Sequence, residues 1–243
     1  MQTPTFAVVP LGARTNRLLA ALPPEEMDAL RPLLEAVRLP LRQTLYETGE
    51  PIEHVYFVHR GVASMVTPMA EGLPVEIATV GPEGMVGIPV FLGAEQMPSR
   101  SLMQIPGEGA RLAADAFRDV IGRSPALHRL LLRYTLALMN QMAQNAACNR
   151  THAVEERCAR WLLMTHDRVH EATFPLTQEF LGEMVGVRRP TVSLAAGMLA
   201  RAGLISYVRG QMTILDRPGL EAASCDCYWT IVDEFERLVG DKG

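Results

Sequence analysis

Lysine is all but missing from this 243-residue chain: Lys242 is the one lysine among 23 cations, and the rest are arginine. That skew reads as codon usage and excludes nothing about mechanism. Cysteine is also scarce, at Cys148, Cys158, Cys225 and Cys227. Four unevenly spread thiols do not make a secreted disulfide scaffold, so a reduced, cytoplasmic setting is expected. A positive balance is lacking too, because 23 cations against 27 carboxylates give −4. Any contact with nucleic acid therefore needs a local basic patch. No run approaches the roughly 18 uncharged apolar residues of a membrane span. The richest stretch, 127–148, is broken by Arg129, Arg133, Asn140, Gln141, Gln144 and Asn145. The opening MQTPTFAVVPLGAR has no cation ahead of its apolar run and does not read as a signal peptide. Nucleophile elbows, Walker loops and paired-histidine metalloprotease motifs are missing, and the glycine-rich GPEGMVG matches none of them, so no enzyme is expected. What is present is apolar material, 48% of residues against 21% charged. That suffices for a packed core in one large domain or two modest ones.

Three textures follow one another. Residues 14–36 carry apolar residues at helical spacing, split by Pro23-Pro24 into two short helices. From Val37 short alternating runs punctuated by glycine predict about eight strands in a sandwich or barrel, with a break at Gly61 inside HVYFVHRGVASMVTP. After Asp115 proline and glycine thin out, and a long helix is expected with two apolar faces. Leu127, Leu131, Tyr134, Leu138 and Met142 form one; Leu132, Leu136, Met139, Ala143 and Ala146 form the other. One face can cover the strands. The second is left for a partner, most simply the same helix of another copy, although burial within one domain is the plainer alternative. Met139 and Met142 then pack between copies. Residues 152–169 read as a further helix, with Trp161 in its core and Arg157 and Arg160 on a mixed surface.

The segment 175–216 is the most informative. Thr177 can cap a helix ending near Val185, with Gly186 at its turn. Pro190 suits the first turn of a second helix that ends at Gly203. Leu181, Val185, Val187, Val192 and Ala195 are the apolar contacts that a helix-turn-helix buries, and Gly182 permits close approach. LISYV and MTIL then flank Arg209-Gly210 as a hairpin, the wing of a winged helix. No acid lies between Glu183 and Asp216, while Arg188, Arg189, Arg201 and Arg209 contribute +4. Such a surface suits DNA phosphates, and arginine reads guanine bidentately.

With those modules in that order the chain resembles the Crp/Fnr family of bacterial transcription regulators. YETGEPIEHVYFVHRGVASMV is similar to the family's early β-roll strands, VGPEGMVGIPVFLGAEQMPSRS to its phosphate-binding cassette, and LTQEFLGEMVGVRRPTVS to its helix-turn-helix. The resemblance implies an α+β chain: a cyclic-nucleotide-binding-like β-roll or double-stranded β-helix (14–124), a long dimerisation helix and hinge (125–151), and a winged-helix DNA-binding domain (152–243). It implies double-stranded DNA, a second copy and RNA polymerase as partners. Carried over, Arg189 becomes the base reader, Thr191 and Ser193 face phosphates or base edges, Thr177 and Arg188 touch the backbone, and Arg209 on the wing is a further DNA-binding residue. Pro190 and Leu194 replace a common glutamate and arginine, so a different DNA half-site is expected. The effector pocket maps to Gly87, Ile88, Arg100 and Ser101. Ile88 stands where a cyclic-AMP binder needs a glutamate for the ribose hydroxyl, and an unmet hydroxyl costs about 1–3 kcal/mol. A different effector, or none, is expected; a cAMP- or cGMP-responsive regulator is the alternative.

No metal or cofactor is expected. The family's iron–sulfur members carry N-terminal cysteines, and neither His54 nor His59 stands out as a haem ligand. Cys225 and Cys227, one residue apart, would face opposite ways in a strand. Cys148 and His152 share a helix face without a further ligand in the local sequence. The tail 228–243 suggests a short helix without an evident partner.

Overall fold

The computed structural model describes residues 16–70 and 74–240, so Arg14 and Thr15 of the first expected helical stretch lie outside it. Helices α1 (Arg17–Ala20) and α2 (Pro24–Leu30) are separated at the proline pair. The Asn16 side chain caps α1 by accepting from the Leu18 and Leu19 amides.

Six antiparallel strands follow: β1 (Glu35–Leu39), β2 (Thr44–Tyr46), β3 (His54–Thr67), β4 (Val75–Val80), β5 (Met85–Val86) and β6 (Arg100–Ala113). The order is β1-β6-β3-β4, with β2 also on β6 and β5 also on β3. The expected eight short strands become six among the described residues because β3 and β6 each run for 14 residues. Gly61 bends β3 instead of ending it. It sits at φ +92°, and a Cβ there would lie 3.0 Å from the Pro106 carbonyl oxygen. Pairing with β6 shifts register on both sides of this point and then resumes. The β-roll core gathers Leu39, Phe57, Val58, Val62, Met103 and Phe117.

Helix α3 (Ile88–Phe91) lies between β5 and β6, and α4 (Ala114–Ile121) leads to α5 (Pro125–Thr151). The 27 residues of α5 extend about 40 Å. Its first turn is capped from α2: Glu26 accepts from the Ala126 amide at 3.1 Å and the Leu127 amide at 3.3 Å. The inner face buries Leu127, Leu131, Tyr134 and Leu138. The outer stripe stays in solvent, with Leu132, Leu136 and Met139 at 51%, 45% and 61% exposure and Ala143 and Ala146 also exposed.

Helix α6 (Val154–Val169) opens the C-terminal part. It is followed by β7 (Thr173–Pro175), α7 (Gln178–Val185), α8 (Arg189–Arg201), β8 (Ile205–Val208), β9 (Gln211–Ile214), α9 (Arg217–Ala222) and α10 (Cys227–Val239). The strands form a small sheet in the order β7-β9-β8. The tail helix α10 has a partner: it returns to pack along α5, with Phe235 edge-on to Tyr134 and Glu234 accepting from the Asn140 amide nitrogen at 2.6 Å. Arg157 and Arg160 correct the surface reading of α6. Both are buried, Arg157 donating to Asn149 Oδ1 and the Val185 carbonyl, Arg160 to Asn145 Oδ1. A guanidinium can sit inside a fold when its donors find oxygen acceptors. Among the described residues no helix is long and apolar enough to cross a membrane.

Candidate nucleic-acid interface and effector cassette

Local chemistry sets the helix pair. Thr177 Oγ1 accepts from the Phe180 amide at 3.1 Å and caps α7. Gly186 ends that helix at φ +73°. Arg188 is the N-cap of α8, and Arg189 and Pro190 are its first two residues, where the missing proline N–H costs no helical bond. Gly182 is needed for the crossing, since a Cβ there would lie 2.9 Å from the Val187 carbonyl oxygen. Leu181, Val185, Val192 and Ala195 are buried between the helices, and Val187 is half-buried. Ser193 is tied inward, its hydroxyl donating to Gln178 Oε1 at 2.8 Å.

Thr177, Arg188, Arg189, Thr191, Arg201 and Arg209 are all exposed. None of these four arginines meets a carboxylate among the described residues, whereas Arg60, Arg111, Arg168 and Arg217 elsewhere are paired. A cation left free on a protein of net charge −4 keeps its full attraction for phosphate. Arg209 and Gly210 turn the wing, both at positive φ (+50° and +77°), as a two-residue hairpin loop demands. Leu194, 69% exposed, and Met198 share the outer face of α8 with Thr191.

The cassette runs from β5 through α3 to the start of β6. Gly87 is left-handed at φ +103° and packs on Val55, where a Cβ would approach Cγ1 to 2.9 Å. Ile88 is buried as the first residue of α3. Arg100 is half-buried opposite Val66, and no ion pair engages it among the described residues. Ser101 is fully buried with its hydroxyl unpartnered. Tyr134 of α5 donates to the Met85 carbonyl at 3.0 Å, so the long helix is bonded directly to β5, just before Gly87.

Sequence reasoning missed the seam between the two halves. Glu76 on β4 is 5% exposed and accepts from Ser64 Oγ at 2.6 Å and from Trp161 Nε1 at 2.8 Å. Burial pushes its carboxyl up to about 7, although both donors and the nearby Arg160 and Arg168 favour the anion. Ser64 also faces Gln104 Oε1 and Met184 Sδ, and Gln104 Nε2 donates to Thr165. Arg168 and Glu83 add a largely buried ion pair at 2.7 Å. Helix α7 rests on β4, and Val75 shares a cleft with Glu179, Glu183, Arg188 and Arg189. No sequence signal joined Glu76 to Trp161, because the two are 85 residues apart.

A second grouping overturns the premises of the metal reading. Cys225 and Cys227 lie in no strand; they lead into α10, and its return to α5 brings both to Cys148 and His152. Their four donor atoms lie within 4.8 Å of one another.

Residues 36–124 match the cyclic nucleotide-binding domain family and residues 156–223 the Crp-like helix-turn-helix domain. The chain is 25% identical over 202 residues to the CRP-like cAMP-activated global transcriptional regulator of Mycobacterium tuberculosis, covering 79% of this chain and 89% of that protein. Over 226 residues it is 25% identical to the transcriptional regulatory protein btr of Bordetella pertussis, covering 88% and 87%. Its fold is that of FixK2 from Bradyrhizobium japonicum, with a TM-score of 0.68 at 18% identity, over 79% of this chain and 98% of that one. With an antiparallel β-roll, a long helix and a winged helix-turn-helix in this order, the chain belongs to the Crp/Fnr family of DNA-binding transcription regulators.

Proposed function

We infer that the chain acts in the cytoplasm as a homodimer that binds a two-part DNA site through α8 and the wing, by binding and not by catalysis. The observation that carries this reading is the set of four exposed, unpaired arginines at the start and end of α8 and the tip of the wing. Arg189, on the first turn of α8, reads a base edge. Arg188, Thr177, Thr191 and Arg209 hold phosphates, with Ser193 bracing the helix pair through Gln178. Leu194 meets apolar groups such as a thymine methyl in place of a guanine. Paired outer stripes of α5 set the half-sites about one helical turn apart. A regulator docked beside a promoter meets RNA polymerase as its further partner.

Arg189→Ala should weaken specific binding by about 1–3 kcal/mol and relax preference at one base pair, without changing dimerisation. Unchanged affinity and preference in a shift assay across a half-site library would remove α8 from the groove.

The cassette favours an effector other than a cyclic nucleotide, or none. Arg100 and the unpaired Ser101 hydroxyl fit an anion, but Ile88 presents no acceptor to a ribose hydroxyl. Calorimetry with cAMP and with cGMP is expected to show no saturable heat; micromolar binding of either would reverse this reading. The Tyr134–Met85 bond links the cassette to α5, and the Glu76 cluster links β4 to α6. An effector acts only by favouring one arrangement of these contacts over another.

A further inference from the structure

Apart from the basic surface of α8 and the cassette, one cluster of donor atoms takes part in neither DNA contact nor effector contact. Cys148 and His152 stand four apart at the end of α5, and Cys225 and Cys227 at the start of α10. Cys148 Sγ lies 3.5 Å from Cys225 Sγ, and Cys227 Sγ 3.4 Å from His152 Nδ1. A zinc tetrahedron with Zn–S of about 2.3 Å and Zn–N of about 2.0 Å has S···S edges near 3.8 Å and S···N edges near 3.5 Å. The cluster's separations, none above 4.8 Å, suit a single ion. An iron–sulfur cluster spreads its thiolates over several irons and needs them further apart.

The surroundings are those of a metal site. The three sulfurs are free thiols, buried together and apart from the main apolar core, so they do not serve as core filler. His152 presents Nδ1 to the thiols, 3.4 Å from Cys227 Sγ, while Nε2 points away toward the exposed Asp226 carboxylate at 3.6 Å. Gln144 Nε2 donates to Cys227 Sγ at 3.0 Å, and the Arg160 guanidinium acts on Cys148 and Cys225. Those positive and donor groups offset the single negative charge left when three thiolates and a neutral imidazole surround Zn²⁺.

We propose that Cys148, His152, Cys225 and Cys227 bind one zinc ion, which staples the first turn of α10 to the end of α5 beside the turn into α6. On binding, each of the three thiols loses its proton to solvent and gives a lone pair to the metal. His152 gives the Nδ1 lone pair, and nothing is oxidised or reduced.

The test uses the full chain purified without chelator. Elemental analysis should find about one zinc per chain. After metal removal, cobalt should restore occupancy with thiolate charge-transfer bands and tetrahedral d–d bands. Cys158→Ala, which alters the thiol outside the cluster, should keep the full equivalent, whereas Cys225→Ser and Cys227→Ser should lose it. Protein that carries four titratable thiols, holds no zinc and takes up neither zinc nor cobalt overturns the proposal. So does visible absorption with iron and sulfide, or a Cys148–Cys225 disulfide as the state that persists under reducing purification.

Discussion

Replacing Leu136 and Met139 together by arginine should leave the fold intact, turn a dimer into a monomer, and reduce specific DNA affinity by about a thousandfold or more, toward the non-specific level. Both side chains are about half exposed in the single chain, so the new charges enter water at little cost. In a two-fold pairing of α5 each arginine would meet its own image or its neighbour's across the axis. Like charges forced together cost several kcal/mol, and the apolar burial of Leu132, Leu136 and Met139 in both copies is lost as well. A monomer engages one half-site and keeps mainly the salt-dependent phosphate term. Sedimentation and shift assays at two salt concentrations read both effects. Leu41→Arg, on another exposed leucine, is the control and should change neither. A variant that stays dimeric, or a wild-type chain that is already monomeric, would remove α5 as the interface.

Glu76→Gln should stabilise the protein above about pH 7 and flatten its pH profile. The sign follows from the carboxyl's position near 7 in the folded chain against 4.5 when free. Between those values the folded state holds a proton that the unfolded state has released, so stability falls as pH rises through this window and levels off above it. The gap sets a ceiling of about 3 kcal/mol. Hydrogen bonds from Ser64 and Trp161 oppose this shift, and burial outweighs them. Ser64 has one proton and faces two acceptors, Glu76 and Gln104. Ser64 gives that proton to the ionised Glu76 and leaves Gln104 Oε1 to other donors; protonation of Glu76 releases it. The amide of glutamine donates at every pH. Denaturant melts near pH 5 and pH 8 test this: wild type should lose stability over that interval and the variant should not. Parallel profiles for the two proteins would show that Glu76 does not titrate in this range.

The sequence carried signals that act over a few residues. Thr177, Gly186, Pro190 and Gly203 each govern one turn of backbone, so the bounds of α7 and α8 were legible within a residue or two. The two stripes of α5 were legible because helical period alone sorts Leu131 and Tyr134 from Leu132 and Leu136. Gly61 misled because a left-handed glycine can end a strand or bend it, and only pairing with β6 decides which. Arg157 and Arg160 were hidden because burial of a guanidinium depends on acceptors such as Asn149 and Asn145. The Glu76–Trp161 bond and the cysteine–histidine cluster were out of reach for the same reason. Each joins residues more than 70 positions apart, through the docking of α6 on the β-roll and of α10 on α5.

At the wing tip, Arg209 holds a left-handed conformation that glycine or asparagine adopts more easily, at a cost of about 1–2 kcal/mol. Its guanidinium is one of the four free cations on this surface. Thermal tolerance and grip on a polyanion are therefore opposed at a single position. A laboratory selection for heat resistance alone should drift toward Gly or Asn at 209 and yield hardier molecules that hold promoters more weakly.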